Sequence, residues 1–257
     1  MWRGIRIAIL LVLLVLVAGG AWLDQRRTTS WEHTVWVGAF ALNADGSETA
    51  AAYIASLSDA DLQPVTEFVA REARRYVVSI EEPVSIRLYP APATAPPRAA
   101  PDAGPLARAL WSLRLRYYRM SALDSIARAR PRIALFLLYH DPARAAVLPH
   151  SVGLQRGLMG VVHLFATRTQ APQNNIVIAH ELLHTFGATD KYDADSEAPL
   201  YPEGFAEPLR NPRYPQHDAE IMAGRVPLGP TRQVMPVDLS QTLIGPATAR
   251  EIGWGRR

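Results

Sequence analysis

His180-Glu-Leu-Leu-His-Thr-Phe-Gly-Ala-Thr-Asp190 is the stretch whose reading decides the fold. Its two histidines stand four residues apart, and on a helix that spacing puts them on one face, a turn apart. His180 and His184 can therefore aim both imidazoles at a single point. Val177, one turn earlier on that face, offers no competing ligand. Ile178, Ala179, Leu182, Leu183 and Phe186 cover much of the remaining circumference and would bury the helix in a core. Glu181 points about 100° away from His180, so it stands beside that point without having to ligate anything. Gly187 falls just past Phe186, where glycine readily takes a positive φ and ends a helix. The chain can then turn back, and Asp190 can bring a short carboxylate to the same place. Two histidines and a carboxylate with a fourth position open suit Zn2+ in a hydrolytic site. Glu181 is the matching general base and, later, general acid.

The stretch resembles the metzincin clan of zinc peptidases, whose pattern is H-E-x-x-H-x-x-G-x-x-H followed by a methionine turn. Asp190 replaces the last histidine, as in the snapalysin-type members. Asp190-Lys-Tyr-Asp193 is similar to the segment after the zinc helix in immune-inhibitor-A-like peptidases. The likeness covers residues 180–193 and 220–224. It implies an α+β, zincin-like domain with a mixed sheet, an active-site helix and an irregular C-terminal part. Glu220-Ile-Met-Ala-Gly224 is then the methionine turn, with Met222 as a hydrophobic floor beneath the metal. The strand before the zinc helix, LMGVVHLFA (158–166), becomes an edge strand that holds extended substrate through its main chain.

Other residues compete for roles at this site. A downstream glutamate (Glu197, Glu203, Glu207 or Glu220) is a rival third ligand, as in thermolysin-like enzymes. Gly187 favours Asp190, because a turn-back explains the glycine. Tyr192 can donate to the oxyanion of a tetrahedral intermediate. Tyr201 and Tyr214 compete for that role, and packing is the simpler reading for all three. Asp193, Asp195 and Glu197 offer oxygens to a calcium ion, although a solvated acidic loop is simpler. His217 is a candidate accessory ligand or supporting partner. His33, His140, His150 and His163 read as structural, with His163 the most suspect because it precedes the zinc helix.

Composition narrows the classes. The chain has 257 residues, 49% of them hydrophobic, enough for a substantial core. It has no cysteine, which excludes disulfides, thiolate zinc sites and cysteine nucleophiles. The net charge of +3 rests almost wholly on arginine, Lys191 being the only lysine. No basic run with interleaved aromatics is present, so no nucleic-acid partner is expected.

Arg3 and Arg6 precede an apolar run over 7–23. Its length lies at the short end of the roughly 17–25 residues that span a bilayer. Trp22 suits an interfacial position, so residues 1–27 are expected to form an N-terminal transmembrane helix that anchors the chain to a membrane. The small residues Ala18 to Ala21 offer the alternative of a cleaved signal peptide. Either way the bulk of the chain is exported.

Residues 28–90 form an N-terminal α/β part, with strands at 34–42 and 83–90 and helices at 48–57 and 61–77. Residues 91–105 are a Pro/Ala-rich linker or loop. It either separates a small subdomain or interrupts a single domain. Residues 106–257 hold the zinc-binding catalytic part: a helix at 106–128, strands at 132–139 and 158–166, the motif helix at 173–186, then irregular chain with a short helix at 247–252. The expected function is a membrane-anchored or exported zinc metallopeptidase that cleaves a peptide or protein through metal-activated water. The alternatives are a non-catalytic envelope binding protein on the same fold, and a zinc amidase with a non-protein substrate.

Overall fold

The computed structural model describes residues 6–7, 29–98, 104–124, 126, 130–155 and 158–255. The expected membrane segment lies outside the described residues except for Arg6 and Ile7. Among the described residues, no helix is long and apolar enough to cross a membrane.

The framework is a mixed sheet with helices, an α+β arrangement. Its strands are β1 (Val35–Asn43), β2 (Val84–Tyr89), β3 (Ile133–His140), β4 (Val152–Leu154) and β5 (Met159–Phe165). Their order is β2-β1-β3-β5-β4. The first four run parallel, and β4 pairs antiparallel with β5 at the end of the sheet. Parallel neighbours need crossovers. Helices α1 (Glu48–Ala55) and α2 (Gln63–Arg75) join β1 to β2, and α3 (Pro105–Asp124) joins β2 to β3.

β3 has no exposed residue over IALFLLYH, as expected for a central strand covered on both faces. Its side chains alternate between two cores. Ile133, Leu135, Leu137 and Tyr139 join the layer that holds α2 and the motif helix, and Ala134, Phe136 and Leu138 meet Leu115, Ala122 and Leu123 of α3. β1 does the same, sending Val37 and Ala39 one way and Phe40 and Leu42 the other.

The motif helix, α4, spans Ala171–Phe186, with Pro172 in its first turn. Asn174 reads from the sequence as a start signal, but its side chain does something else. It accepts from Phe165 N at 3.2 Å and donates to Phe165 O at 2.9 Å, fastening the start of α4 to the end of β5.

One expectation needs correction. β5 was expected to be the edge strand, yet it is paired on both sides, with β3 and with β4. The edge is β4, a strand the sequence analysis did not recognise. The Pro/Ala-rich stretch does not separate two sheets, because β1 and β2 before it share one sheet with β3, β4 and β5 after it. Its residues also lie on α3: Trp111 Nε1 donates to Pro97 O at 2.8 Å, and Tyr118 OH to Thr94 O at 2.6 Å.

Beyond α4 the chain is largely irregular, with the short pairs β6 (Ala219–Glu220) with β9 (Thr242–Leu243) and β7 (Val226–Gly229) with β8 (Arg232–Val234), then α5 (Pro246–Glu251). α2 holds this region in place. Arg71 Nη2 donates to Leu239 O and Thr242 O, and Tyr76 OH to Ile244 O.

Candidate metal centre

α4 ends as its sequence predicts. Gly187 adopts φ 107°, a left-handed conformation that costs glycine little. Ala188 N donates back to Leu183 O at 3.1 Å, closing the end of the helix. The reversal brings Asp190 beneath the histidine pair.

His180 Nε2 and His184 Nε2 lie 3.1 Å apart. Asp190 Oδ1 lies 3.1 Å from the first and 3.2 Å from the second. The three atoms form a nearly equilateral triangle. Tetrahedral zinc with bonds of about 2.0–2.1 Å spaces its ligand atoms about 3.3 Å apart, so the triangle matches one face of such a site.

The tautomers follow from the other ring nitrogens. His180 Nδ1 is 3.0 Å from Ile221 O, and His184 Nδ1 is 2.8 Å from Ala188 O. A carbonyl only accepts, so each Nδ1 carries hydrogen and donates. When such a ring is neutral, it turns a bare Nε2 lone pair inward, toward a carboxylate oxygen. Three acceptors at this separation repel unless a cation or a proton lies among them. The donor set, its spacing and its carbonyl supports all fit zinc.

Electrostatics say the same. Burial alone would make His180 harder to protonate, yet Asp190, Glu181 and the Ile221 carbonyl outweigh it and raise its pKa. Burial would raise Asp190, but the two histidines hold it well below the usual carboxylate range. The Asp190 side chain is 44% exposed, which leaves the centre open to solvent.

Glu181 is also close: ligand atoms of His180, Glu181 and His184 fall within 4.8 Å of one another. Asp190 nonetheless has the stronger claim to the third position, because its oxygen is in near contact with both imidazoles. Glu181 is buried, and its Oε2 has no hydrogen-bond partner among the described residues. Burial raises its pKa, against the pull of His180 and His184 and of the Gly153 N–H that donates to it.

Gly153 belongs to β4, and its place explains its identity. A Cβ there would meet Glu181 O and His184 Cβ at 2.5 Å. The edge strand thus packs its backbone directly on the motif helix. Sequence analysis missed Gly153, although an isolated glycine within a short extended segment is a recognised sign of close backbone approach.

The proposed methionine turn lies against the centre. Ile221 O orients His180, Met222 O accepts from Lys191 N at 3.0 Å, and Met222 is fully buried. Glu220 holds that turn. Its carboxylate accepts from Met222 N, Ala223 N, Gly245 N and Thr248 Oγ1, so it cannot also serve as the third ligand. Of the other rivals, Glu197 pairs with Arg225, and Glu207 with Arg210 and His217. His217 is committed to Glu207. The structure shows no role for Glu203.

Tyr192 stands with its ring centroid 6.4 Å from that of His180. Burial, then Asp190 and Glu181, raise its hydroxyl pKa, so it stays a donor near neutral pH. Tyr201 and Tyr214 pack on Phe205 instead. Asp193 Oδ1 accepts from Ser196 N and Oγ, closing a turn of its own, and Glu197 is the arginine-paired residue named above. His163 bonds His140 at 2.8 Å on the face of β5 opposite Val162 and Leu164. Burial, then His140 and Arg98, push its pKa down to about 4, so the pair is neutral and structural.

Comparison with protein-family models finds no match, and comparison with curated proteins finds none.

Proposed function

We propose that this protein is a zinc-dependent peptidase with a metzincin-like fold, in which His180, His184 and Asp190 hold the metal. One observation carries the reading: three electron-pair donors converge beside a buried carboxylate, Glu181, that has an unpartnered oxygen. Coincidental surface histidines would not have their outer nitrogens fixed by two carbonyls.

Bound zinc would supply a Lewis acid that polarises a substrate carbonyl and acidifies water. Glu181 accepts a proton from the attacking water and delivers it to the leaving amine. Its burial raises its proton affinity toward the range such a shuttle needs. Its Oε2, buried with no hydrogen-bond partner among the described residues, is free to take that proton. The Tyr192 hydroxyl is a donor for the developing oxyanion. β4, the end strand beside Glu181, offers a backbone edge along which an extended peptide can pair. The apolar run over 7–23 would tether the domain to a membrane from the exported side, or be cleaved after export.

The test is Glu181→Gln. The variant should bind one zinc as tightly as the parent, within a few-fold, and lose about 10²–10⁴ of peptide hydrolysis. Hydrolysis at the parental rate would end the assignment of Glu181, and failure of the parent to bind zinc would end the proposal itself.

A further inference from the structure

A cavity of about 420 Å³ adjoins the metal centre and shares His184 with it. Gly153 and Gln155 of the edge-strand segment form one side, and Thr189, next to Asp190, forms another. Ser112 and Arg116 of α3 close it from a part of the chain remote in sequence.

Among the described residues, Arg116 is the one arginine or lysine on this wall and no carboxylate lines the cavity. Among the described residues its guanidinium makes no ion pair or hydrogen bond. Glu251, which touches Thr189, is already taken by Lys191. Arg116 is also held in place. Its neighbour Leu115 is 1% exposed in the core under α3. Trp111, Tyr118 and Arg119 brace the same helix through bonds to Pro97, Thr94 and Arg132 carbonyls. A fixed, half-buried guanidinium beside a hydroxyl, with no counter-charge, is a recognition group for a planar anion.

We infer that this cavity is a carboxylate-binding subsite, and that the enzyme acts on peptides carrying a carboxylate close to the scissile bond, with Arg116 as its recognition group. The inference rests on the peptidase reading above. A peptide paired along β4 passes Gly153 and reaches the cavity within one or two residues of the metal. The carboxylate is supplied by an Asp or Glu side chain or by the peptide's own C-terminus.

The test uses the full-length zinc-loaded protein. Its cleavage sites in a peptide mixture are read by mass spectrometry, and binding is measured by fluorescence anisotropy with the Glu181→Gln variant, which does not need turnover. Four peptides are compared: Asp against Asn at the flanking position, each with a free or an amidated C-terminus. Peptides with a carboxylate should bind about 10–100-fold tighter than their neutral counterparts, the worth of one charge-assisted hydrogen bond. The Asp/Asn arm and the free/amidated arm identify which carboxylate is read. Arg116→Gln should abolish the preference, and Arg116→Glu should invert it toward Lys at that position, a change that misfolding does not mimic. Equal binding of all four peptides, or a preference unchanged in Arg116→Glu, overturns the subsite. Hydrolysis without acidic preference would refute the subsite alone. Carboxylate binding without any hydrolysis by the zinc-loaded parent would refute the peptidase reading alone.

Discussion

Lys191 Nζ lies 2.8 and 2.9 Å from the two carboxylate oxygens of Glu251. The only lysine of the chain is thus clamped to the last residue of α5. The same carboxylate accepts from Thr189 N and Oγ1, so both neighbours of Asp190 are tied to one group. Lys191 N also donates to Met222 O. Besides its contacts with the two histidines, Asp190 is held by a brace on either side.

That brace should matter for metal binding. Lys191→Met leaves Glu251 without its cation and frees one flank of Asp190. Zinc affinity, measured by competition with a chelating dye, is expected to fall about 10–100-fold, as when other supports of metal ligands are removed. Stability of the metal-free protein should drop by about 1–3 kcal/mol. Unchanged zinc affinity would show that Asp190 is positioned by something else.

The pair also sets an acid limit. Burial would raise Glu251, but its bonds to Lys191 and Thr189 depress it below the ordinary value of 4.5. A group with a depressed folded pKa binds fewer protons in the native state than when unfolded. Its contribution is therefore full above about 4.5 and is lost as pH falls through the lower folded value. Thermal melts of the metal-free protein should decline below that point, and Glu251→Gln should flatten part of the decline. A decline of the same depth in the variant would refute this.

Asp190 and Glu220 make a discriminating contrast. Asp190→Ala should weaken zinc binding at least about 100-fold, since it removes a proposed ligand, yet leave the metal-free fold intact because its side chain is half exposed. Glu220→Ala should do the opposite. It strands three donors in a buried turn, Met222 N, Gly245 N and Thr248 Oγ1, at a cost of several kcal/mol, about 1–3 for each unsatisfied group. Loss of zinc without loss of stability in Glu220→Ala would reinstate that residue as a ligand.

Gly153→Ala tests the packing of β4 on α4. The added carbon would lie 2.5 Å from Glu181 O and from His184 Cβ, an overpacking that typically costs about 1–3 kcal/mol. The expected result is a lower melting temperature together with reduced hydrolysis. A variant as stable and active as the parent would mean the edge strand can move away from the helix freely.

The motif helix was legible because its information is local: spacing, a glycine stop and an acid three residues beyond act within about two turns. β1, β3 and β5 were legible because apolar β-formers run through each. β4 escaped because three residues between Ser151 and Gln155 carry no periodicity, and its pairing with β5 made the edge assignment wrong. Arg116 was invisible among many arginines; only the crossing of α3 over the cleft separates it from the others. The Lys191–Glu251 clamp spans 60 positions, and the sequence has no local sign of it. The distribution follows the physics. Helix caps and hydrophobic periods are written in neighbours, whereas partners across the fold depend on how the sheet is ordered.

That order has a practical corollary. β1, the first strand in the chain, lies in the interior of the sheet and hydrogen-bonds β3 along its length. A fragment beginning at residue 106 would contain every proposed zinc ligand and still lack the strand that shields β3. It should aggregate when made alone, whereas a nick near Pro92 should leave two pieces that stay associated and continue to bind zinc.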